Sequence, residues 1–147
     1  MVDSASNDET VRRERLIQEE LLGQPDYPWR MLVACILLNR TRGFVVRPVL
    51  ARLLELGPPP EALSQSDHSK LVEVIRPLGF KQRRSGYLRH MSRQYLRERR
   101  PETMSGIGDY ALESWMIFVE GFLDFEPSDA KLKAYVDWKK RRMTNGG

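Results

Sequence analysis

The chain has 147 residues, a formal net charge of +4, 41% hydrophobic residues and a single cysteine. These values indicate one globular domain over residues 1–147, and they exclude a largely disordered chain, an internal disulfide and a cluster held by several thiolates. No run approaches the roughly 18 apolar residues of a membrane span and the N-terminus lacks a signal-peptide layout, so we expect an intracellular protein with no membrane partner.

The predicted elements in the first half of the chain are helices, since apolar residues recur at helical spacing and no stretch alternates as a strand does. A charged helix is predicted around 9–22. A second helix begins near Pro28, which suits a first helical position, and continues through the apolar stretch MLVACILL. One-sided apolar stripes predict further helices over 46–54 and 71–78.

The second half of the chain predicts three more helices, over about 82–98, 109–119 and 129–141, separated by turns that contain proline or glycine. There is no internal repeat, and we expect the ends at 1–8 and 143–147 to be flexible. The predicted fold class is therefore all-α, a single compact bundle of about eight short helices.

Basic charge is concentrated in two patches. Residues 81–100 contain eight Lys or Arg against one Glu, and residues 139–142 read KKRR. One such patch is typical of a solvated helix face, but two patches interleaved with Tyr87 and Tyr95 favour a polyanionic partner.

Two glycines flank one isoleucine in the stretch MSGIGDY, residues 104–110. Glycines in a turn between helices permit positive φ and leave backbone N–H groups bare, and the helix that follows adds its partial positive charge. Gly106, Ile107 and Gly108 therefore form a candidate anion site. The alternative is a turn whose glycines serve packing only, with Ile107 as a core residue.

Asp129 stands before the last predicted helix, in the stretch EPSDAKLKAYVDW. A short acidic residue at this place is typical of a helix N-cap, since its oxygen satisfies an otherwise unpaired N–H group. The same position also aims a carboxylate into a cleft. Both interpretations stay open from the residues alone.

Four stretches, YPWRMLVACILLNRT, IRPLGFKQRR, SGIGDY and PSDAKLKAYVDW, resemble in sequence and order the helix-hairpin-helix (HhH-GPD) DNA glycosylases. Among these they are most similar to the thymine glycosylases that carry a methyl-CpG-binding domain, over roughly residues 16–139. The resemblance implies a base-excision enzyme. Such an enzyme binds a phosphate of double-stranded DNA at the hairpin glycines, turns a nucleotide into a pocket and cleaves its glycosidic bond with the help of an aspartate.

Carried to this chain, the resemblance implies that Gly106, Ile107 and Gly108 form the hairpin and that Asp129 is the catalytic carboxylate. A carboxylate stabilises the oxocarbenium character that develops on the sugar, and it can orient or deprotonate water. Bifunctional members have, near the position of Tyr110, a lysine that forms an imine with the sugar, which a phenol cannot do. The resemblance therefore implies a monofunctional enzyme without lyase activity, with Tyr110 lining the base pocket.

Further site residues also come from the resemblance. Gln18 matches a pocket glutamine whose amide can pair with a pyrimidine edge. Arg40 matches an arginine that fills the gap left by the extruded nucleotide, and Asn39 braces its loop. Leu78 is the candidate wedge from a second loop, although it also fits the apolar stripe of its helix. The candidate phosphate contacts are Arg83, Arg84 and Lys131.

Two acids depart from the family pattern. Asp109 and Glu113 would present anions near the expected phosphate site, which should weaken or redirect DNA binding. The chain also lacks the four cysteines with which many family members hold an iron–sulfur cluster. We therefore expect no cofactor, with a monovalent cation at the hairpin as the one candidate ion, and a monomer that associates with DNA.

Three functions stay open from the sequence. The first is excision of thymine or uracil mispaired with guanine (G·T, G·U) in base excision repair. The second is action of the same fold on a modified pyrimidine in DNA, and the third is a DNA-binding module in which Asp129 only caps a helix. Salt-dependent binding distinguishes all three from a helical protein-interaction domain, because phosphate contacts displace counterions.

Overall fold

The computed structural model describes residues 14–56 and 60–145. Over these residues the chain forms eight α-helices, two short 3-10 turns and no strand, which confirms the predicted all-α class. None of the described helices combines the length and the apolar character that crossing a bilayer requires. The helices are α1 Ile17–Glu20, α2 Tyr27–Leu38, α3 Gly43–Leu56, α4 Pro60–Ser64, α5 His68–Ile75, α6 Lys81–Arg97, α7 Asp109–Phe118 and α8 Ala130–Asn145. The 3-10 turns are Arg76–Leu78 and Pro101–Thr103.

The first helix is shorter than predicted. The charged pattern predicts a helix over 9–22, but the described part of it is helical only from Ile17 to Glu20. Its start is fixed by the Glu19 carboxylate, which accepts a hydrogen bond from the backbone N–H of Leu16 at 2.8 Å. Residues 9–13 of the predicted helix lie outside the described residues.

The two ends of the chain were expected to be flexible. Residues 1–8 and 146–147 lie outside the described residues. Helix α8 continues to Asn145, so that residues 143–145 form its last turn.

Helix α2 is the centre of the main core. All side chains from Met31 to Leu37 are buried, as is Trp29, whose indole Nε1 donates a hydrogen bond to Ser92 Oγ of α6 at 2.8 Å. Burial raises the pKa of the Cys35 thiol to about 12, so this thiol stays protonated and unreactive. Helices α3, α6 and α7 pack directly against α2.

A second, smaller apolar cluster joins α7 to α8. Its buried members are Leu16, Ile117, Leu132, Tyr135 and Val136. Tyr110, near the start of α7, is half-buried and packs against both this cluster and the main core. The start of α7 therefore lies at the boundary between the two clusters.

Candidate active site

A cavity of about 400 Å³ is formed by α1, the turn from α2 to α3, and the starts of α7 and α8. A volume of this size suits a small ligand or a single base. The cavity brings together six residues that the sequence analysis singled out: Gln18, Asn39, Arg40, Tyr110, Asp129 and Lys131.

A smaller cavity of about 240 Å³ adjoins the first, because Asn39 and Arg40 line both. Its walls also contain the residue before α6, three residues of the basic helix α6 and one glycine of the hairpin: Phe80, Arg83, Arg84, Tyr87 and Gly106. The exposed Arg40 side chain therefore borders both cavities.

Asp129 is both a helix cap and a member of the cavity wall. Its Oδ2 accepts a hydrogen bond from the backbone N–H of Leu132 at 2.9 Å, in the first turn of α8. Among the described residues, Oδ1 accepts no hydrogen bond, and the side chain is half-buried. The two interpretations of Asp129 are therefore compatible, since the cap uses one oxygen and leaves the other for the cavity.

Gln18 is completely buried, although it follows a charged sequence. Its Nε2 donates hydrogen bonds to the Tyr110 hydroxyl at 2.8 Å and to Ser114 Oγ at 3.1 Å. Its backbone carbonyl accepts a hydrogen bond from the Tyr27 hydroxyl at 2.8 Å. The carboxamide Oε1 has no partner among the described residues. Turning the amide over would exchange its two ends, so in either orientation one polar atom remains unpaired beside the cavity.

Tyr110 contributes a neutral phenol to the cavity. Burial, and then the nearby Cys35 thiol, raise the pKa of the Tyr110 hydroxyl above its ordinary value. The hydroxyl accepts a hydrogen bond from Gln18, so its own proton is available to donate to another group. The cavity therefore offers an amide, a phenol and a carboxylate.

The two hairpin glycines differ in whether the surrounding structure requires glycine. Gly106 has φ +77°, and a Cβ at this position would lie 2.8 Å from the Cβ of Tyr87. Gly108 has an extended backbone with φ −108°, and a Cβ there would meet open space. Ile107 packs against the main core. Packing therefore requires Gly106 and does not require Gly108.

This contrast predicts opposite stability effects for a matched pair of alanine variants. Gly106→Ala should lower the free energy of unfolding by about 2 kcal/mol, because a side chain is strained at positive φ and collides with Tyr87. Gly108→Ala should leave it within about 0.5 kcal/mol of the wild type. Urea denaturation of both variants measures the difference, and equal losses would contradict the packing explanation.

Arg84 is not placed to contact a phosphate, contrary to the sequence prediction. Its side chain is 5% exposed and packed beneath the surface. The guanidinium donates hydrogen bonds to the carbonyls of Leu78 (2.9 Å) and Gly79 (3.3 Å), to the Asn39 carbonyl and to Thr41 Oγ1 (2.8 Å). Arg84 therefore ties the loop after α2 to the loop before α6.

The side chain predicted to act as a wedge, Leu78, is buried. Leu78 is 9% exposed and belongs to the main core, whereas Phe80 is 60% exposed. Phe80 and Arg40 have φ of +48° and +62°, a left-handed conformation that is uncommon outside glycine. Both loops that Arg84 joins thus present one exposed side chain from a strained backbone. The position of Phe80 directly after the turn at Gly79 was the available sequence signal.

The other predicted DNA contacts occupy the rim. Arg83 is exposed at the smaller cavity, and Lys131 Nζ pairs with Glu14 Oε2 at 3.0 Å at the larger one. Asn39 is exposed, and its backbone carbonyl rather than its side chain accepts the hydrogen bond from Arg84. Within the described residues, no group of three or more His, Cys, Asp or Glu side chains is placed to hold a metal ion.

The two acids that depart from the family pattern differ from each other. Asp109 is exposed at the first residue of α7. Glu113 is half-buried, and its carboxylate accepts hydrogen bonds from the backbone N–H and the Oγ of Ser128. Glu113 therefore holds the residue beside Asp129, a role that the sequence analysis did not assign to it.

Comparison with known proteins gives relatives at modest identity. The chain is 32% identical over 118 residues to a methyl-CpG-binding domain protein 4-like protein of Arabidopsis thaliana, a match that covers 78% of this chain and 26% of that protein. It is 30% identical over 118 residues to a thymine-DNA glycosylase of Aeropyrum pernix, covering 69% of this chain and 53% of the relative. The chain thus spans about half the length of the second relative and a quarter of the first.

The fold is also found among solved structures. A thermostable thymine-DNA glycosylase superposes with a TM-score of 0.66 at 18% identity, over 80% of this chain and 56% of that one. The family model described as HhH-GPD superfamily base excision DNA repair protein matches residues 33–145. Because this match covers most of the sequence, the chain belongs to the HhH-GPD superfamily of base excision DNA repair proteins.

Proposed function

We propose that the protein is a monofunctional DNA glycosylase, which hydrolyses the N-glycosidic bond of thymine or uracil mispaired with guanine in double-stranded DNA. We propose that it acts inside the cell as a monomer. One observation carries the proposal: the buried Gln18 amide, with one unpaired polar atom, lines the same cavity as the Asp129 carboxylate.

Base recognition follows from the hydrogen-bonding groups of the cavity. Thymine and uracil present an N3–H donor between two carbonyl acceptors. The Gln18 amide can supply an acceptor and the Tyr110 hydroxyl a donor, so the pair is complementary to that edge. An unpaired buried acceptor is costly, and a base that satisfies it is favoured over one that does not.

Bond cleavage is assigned to Asp129. As the C1′–N1 bond of the nucleotide breaks, positive charge develops on the sugar, and a fixed carboxylate nearby stabilises it. A water molecule then adds to C1′ and loses a proton to the carboxylate, while the base leaves as an anion and is protonated. The products are a free base and an abasic site, and the DNA strand stays intact.

DNA binding is assigned to the surface around Arg40. The hairpin at Gly108 offers backbone N–H groups at the start of α7, and no atom of the described residues, apart from its chain neighbours, lies within 4 Å of where a Gly108 Cβ would be. Arg40 and Phe80 would enter the duplex from two loops that Arg84 holds together, and Arg83 would contact a phosphate. Gly108→Ala should therefore weaken duplex binding while it leaves the fold intact.

Phe80, and not Leu78, is expected to be the inserted side chain. Phe80→Ala should lower the rate of base release from a G·T duplex by about 10- to 100-fold, since contact between an aromatic ring and a base contributes about 1–3 kcal/mol. Leu96→Ala, which removes another exposed apolar side chain near the far end of α6, is the matched control and should retain the wild-type rate. Equal rates for Phe80→Ala and the wild type would contradict this assignment.

A panel of duplexes tests the proposed function. Purified protein in excess is incubated with G·T, G·U, A·T and G·5-hydroxymethyluracil duplexes, and strand breaks are measured with and without alkali. We expect breaks at G·T and G·U only after alkali, and binding that weakens as salt rises. Release from the modified duplex alone would identify the modified-pyrimidine function, and binding without release would identify a non-catalytic module.

The same reactions test monofunctionality. Among the described residues that line the larger cavity, Lys131 carries the one primary amine. Its Nζ is paired with Glu14 and its side chain is 55% exposed, so it lacks the desolvated surroundings that activate a lysine as a nucleophile. Borohydride should therefore trap no covalent complex, and a complex that disappears in Lys131→Met would contradict the monofunctional assignment.

A further inference from the structure

The segment between α7 and α8, residues 119–129, ends in the proposed catalytic carboxylate and contains no helix or strand. Its end is held by Glu113 of α7. The Glu113 carboxylate accepts the Ser128 backbone N–H at 3.2 Å (Oε1) and 3.1 Å (Oε2), and it accepts the Ser128 hydroxyl at 2.9 Å. We propose that Glu113 is a positioning residue that fixes Asp129 relative to the base pocket.

The argument begins with the face of helix α7. Tyr110, Glu113 and Ser114 are spaced i, i+3 and i+4, and therefore lie on one face of the helix. Tyr110 and Ser114 contact the Gln18 amide, and Glu113 contacts the residue before Asp129. One rigid helix thus sets the separation between the group that would hold the base and the group that would act on its bond.

Asp129 is thereby held from two sides. The α8 amide of Leu132 orients its carboxylate, and Glu113 orients its backbone through Ser128. Hydrogen bonds to a carboxylate are stronger than those between neutral groups, and three such contacts, although exposed, converge on Ser128. Without Glu113, the orientation of Asp129 depends on α8 alone, and a displacement of about 1 Å at a reacting group can cost about 100-fold in rate.

This inference rests on the proposed glycosylase function, and the variants are chosen to separate the two. Glu113→Ala removes all three contacts. Glu113→Gln retains a carbonyl that accepts the Ser128 N–H and an amide that donates to Ser128 Oγ, so it should restore most of the activity. Glu120→Ala, which removes an exposed carboxylate from the same connecting segment, is the matched control.

Two quantities are measured for each variant: the single-turnover rate on a G·T duplex, and the affinity for a duplex that contains a tetrahydrofuran abasic analogue. Titration with the analogue duplex also gives the active fraction. Glu113→Ala should lower the rate per active molecule by about 100-fold and change the affinity by less than about threefold. Glu113→Gln and Glu120→Ala should stay within about threefold of the wild-type rate.

A double-mutant cycle identifies action through Asp129. In an Asp129→Asn background, Glu113→Ala should cause no further loss, because a positioning residue has nothing left to position. A further loss of about 100-fold there, or a rate for Glu113→Ala within about threefold of the wild type, would overturn the inference and leave the proposed function intact. If Asp129→Asn is itself as active as the wild type, the result contradicts the proposed function and not only the role of Glu113.

Ser128→Ala covers the case in which Glu113→Ala does not fold. It removes the hydroxyl contact alone and keeps the two contacts of the backbone N–H. We expect a rate lowered by about 5-fold with unchanged affinity. A wild-type rate for Ser128→Ala together with a low rate for Glu113→Gln would overturn the inference.

Discussion

Replacing Asp129 with asparagine is expected to lower the single-turnover rate of thymine release by about 1,000-fold while it leaves the melting temperature nearly unchanged. Asparagine keeps an oxygen that can accept the Leu132 N–H, so the cap of α8 is retained. It loses the negative charge that would face the sugar and the basicity needed to take a proton from water. The rate is measured with enzyme in excess on a G·T duplex, and the melting temperature by circular dichroism.

Asp67 provides a matched control for this substitution. It also caps a helix, α5, since its Oδ1 accepts the backbone N–H of Ser69, two residues along the chain, at 2.9 Å, whereas Asp129 accepts from the third residue. Asp67→Asn should therefore retain the wild-type rate. If Asp129→Asn and Asp67→Asn are equally active, Asp129 is only a cap and the protein is not the proposed enzyme.

The second large effect is expected for Arg84→Met, which should lower the free energy of unfolding by about 3–4 kcal/mol. The substitution leaves the carbonyls of Leu78, Gly79 and Asn39 without their donor; the Leu78 bond is buried and the other two are partly buried, and an unsatisfied buried acceptor costs about 1–3 kcal/mol. Burial lowers the pKa of the Arg84 guanidinium, yet arginine stays charged at neutral pH. Urea denaturation measures the loss.

Arg83→Met is the control, because it removes the same charge from the exposed neighbour. We expect it to change the free energy of unfolding by less than about 0.5 kcal/mol. It should also lower the slope of the logarithm of duplex affinity against the logarithm of salt concentration by about 1, the effect of losing one phosphate contact. Arg84→Met should instead impair base release through the loops that carry Arg40 and Phe80. If the two variants show the reverse pattern, Arg84 is the phosphate contact and Arg83 the structural residue.

Much of the candidate site could be predicted from the sequence, because its polar residues lie in short stretches with strong local signals. Asp129 and Tyr110 each stand at the start of a helix, where local signals are strong. The placement of both in one cavity with Gln18 agrees with the residues singled out by the resemblance. Spacing alone could not have paired Gln18 with Tyr110, since 92 residues separate them.

The sequence-based predictions that differ from the structure concern which side chains are buried and which residues they contact. Arg84 lies in a run of basic residues and its burial depends on the Asn39 carbonyl, 45 residues earlier in the chain. Leu78 is buried, as the apolar stripe of its helix indicates, although the resemblance implied a wedge there; the exposed apolar side chain is Phe80, two positions later. Glu113 looked like a repulsive charge because its partner, Ser128, belongs to a loop whose path the sequence does not specify.

The small apolar cluster that attaches α8 has a consequence for how the protein would respond to heat. Few buried residues hold α8, whereas α2 is surrounded by the much larger main core. Cooperative units with fewer buried contacts open at lower free energy than the molecule as a whole. Detachment of α8 would carry Asp129 away and leave Gln18 and Tyr110 in place, so a partly opened molecule would keep its base pocket and lose its proposed chemistry.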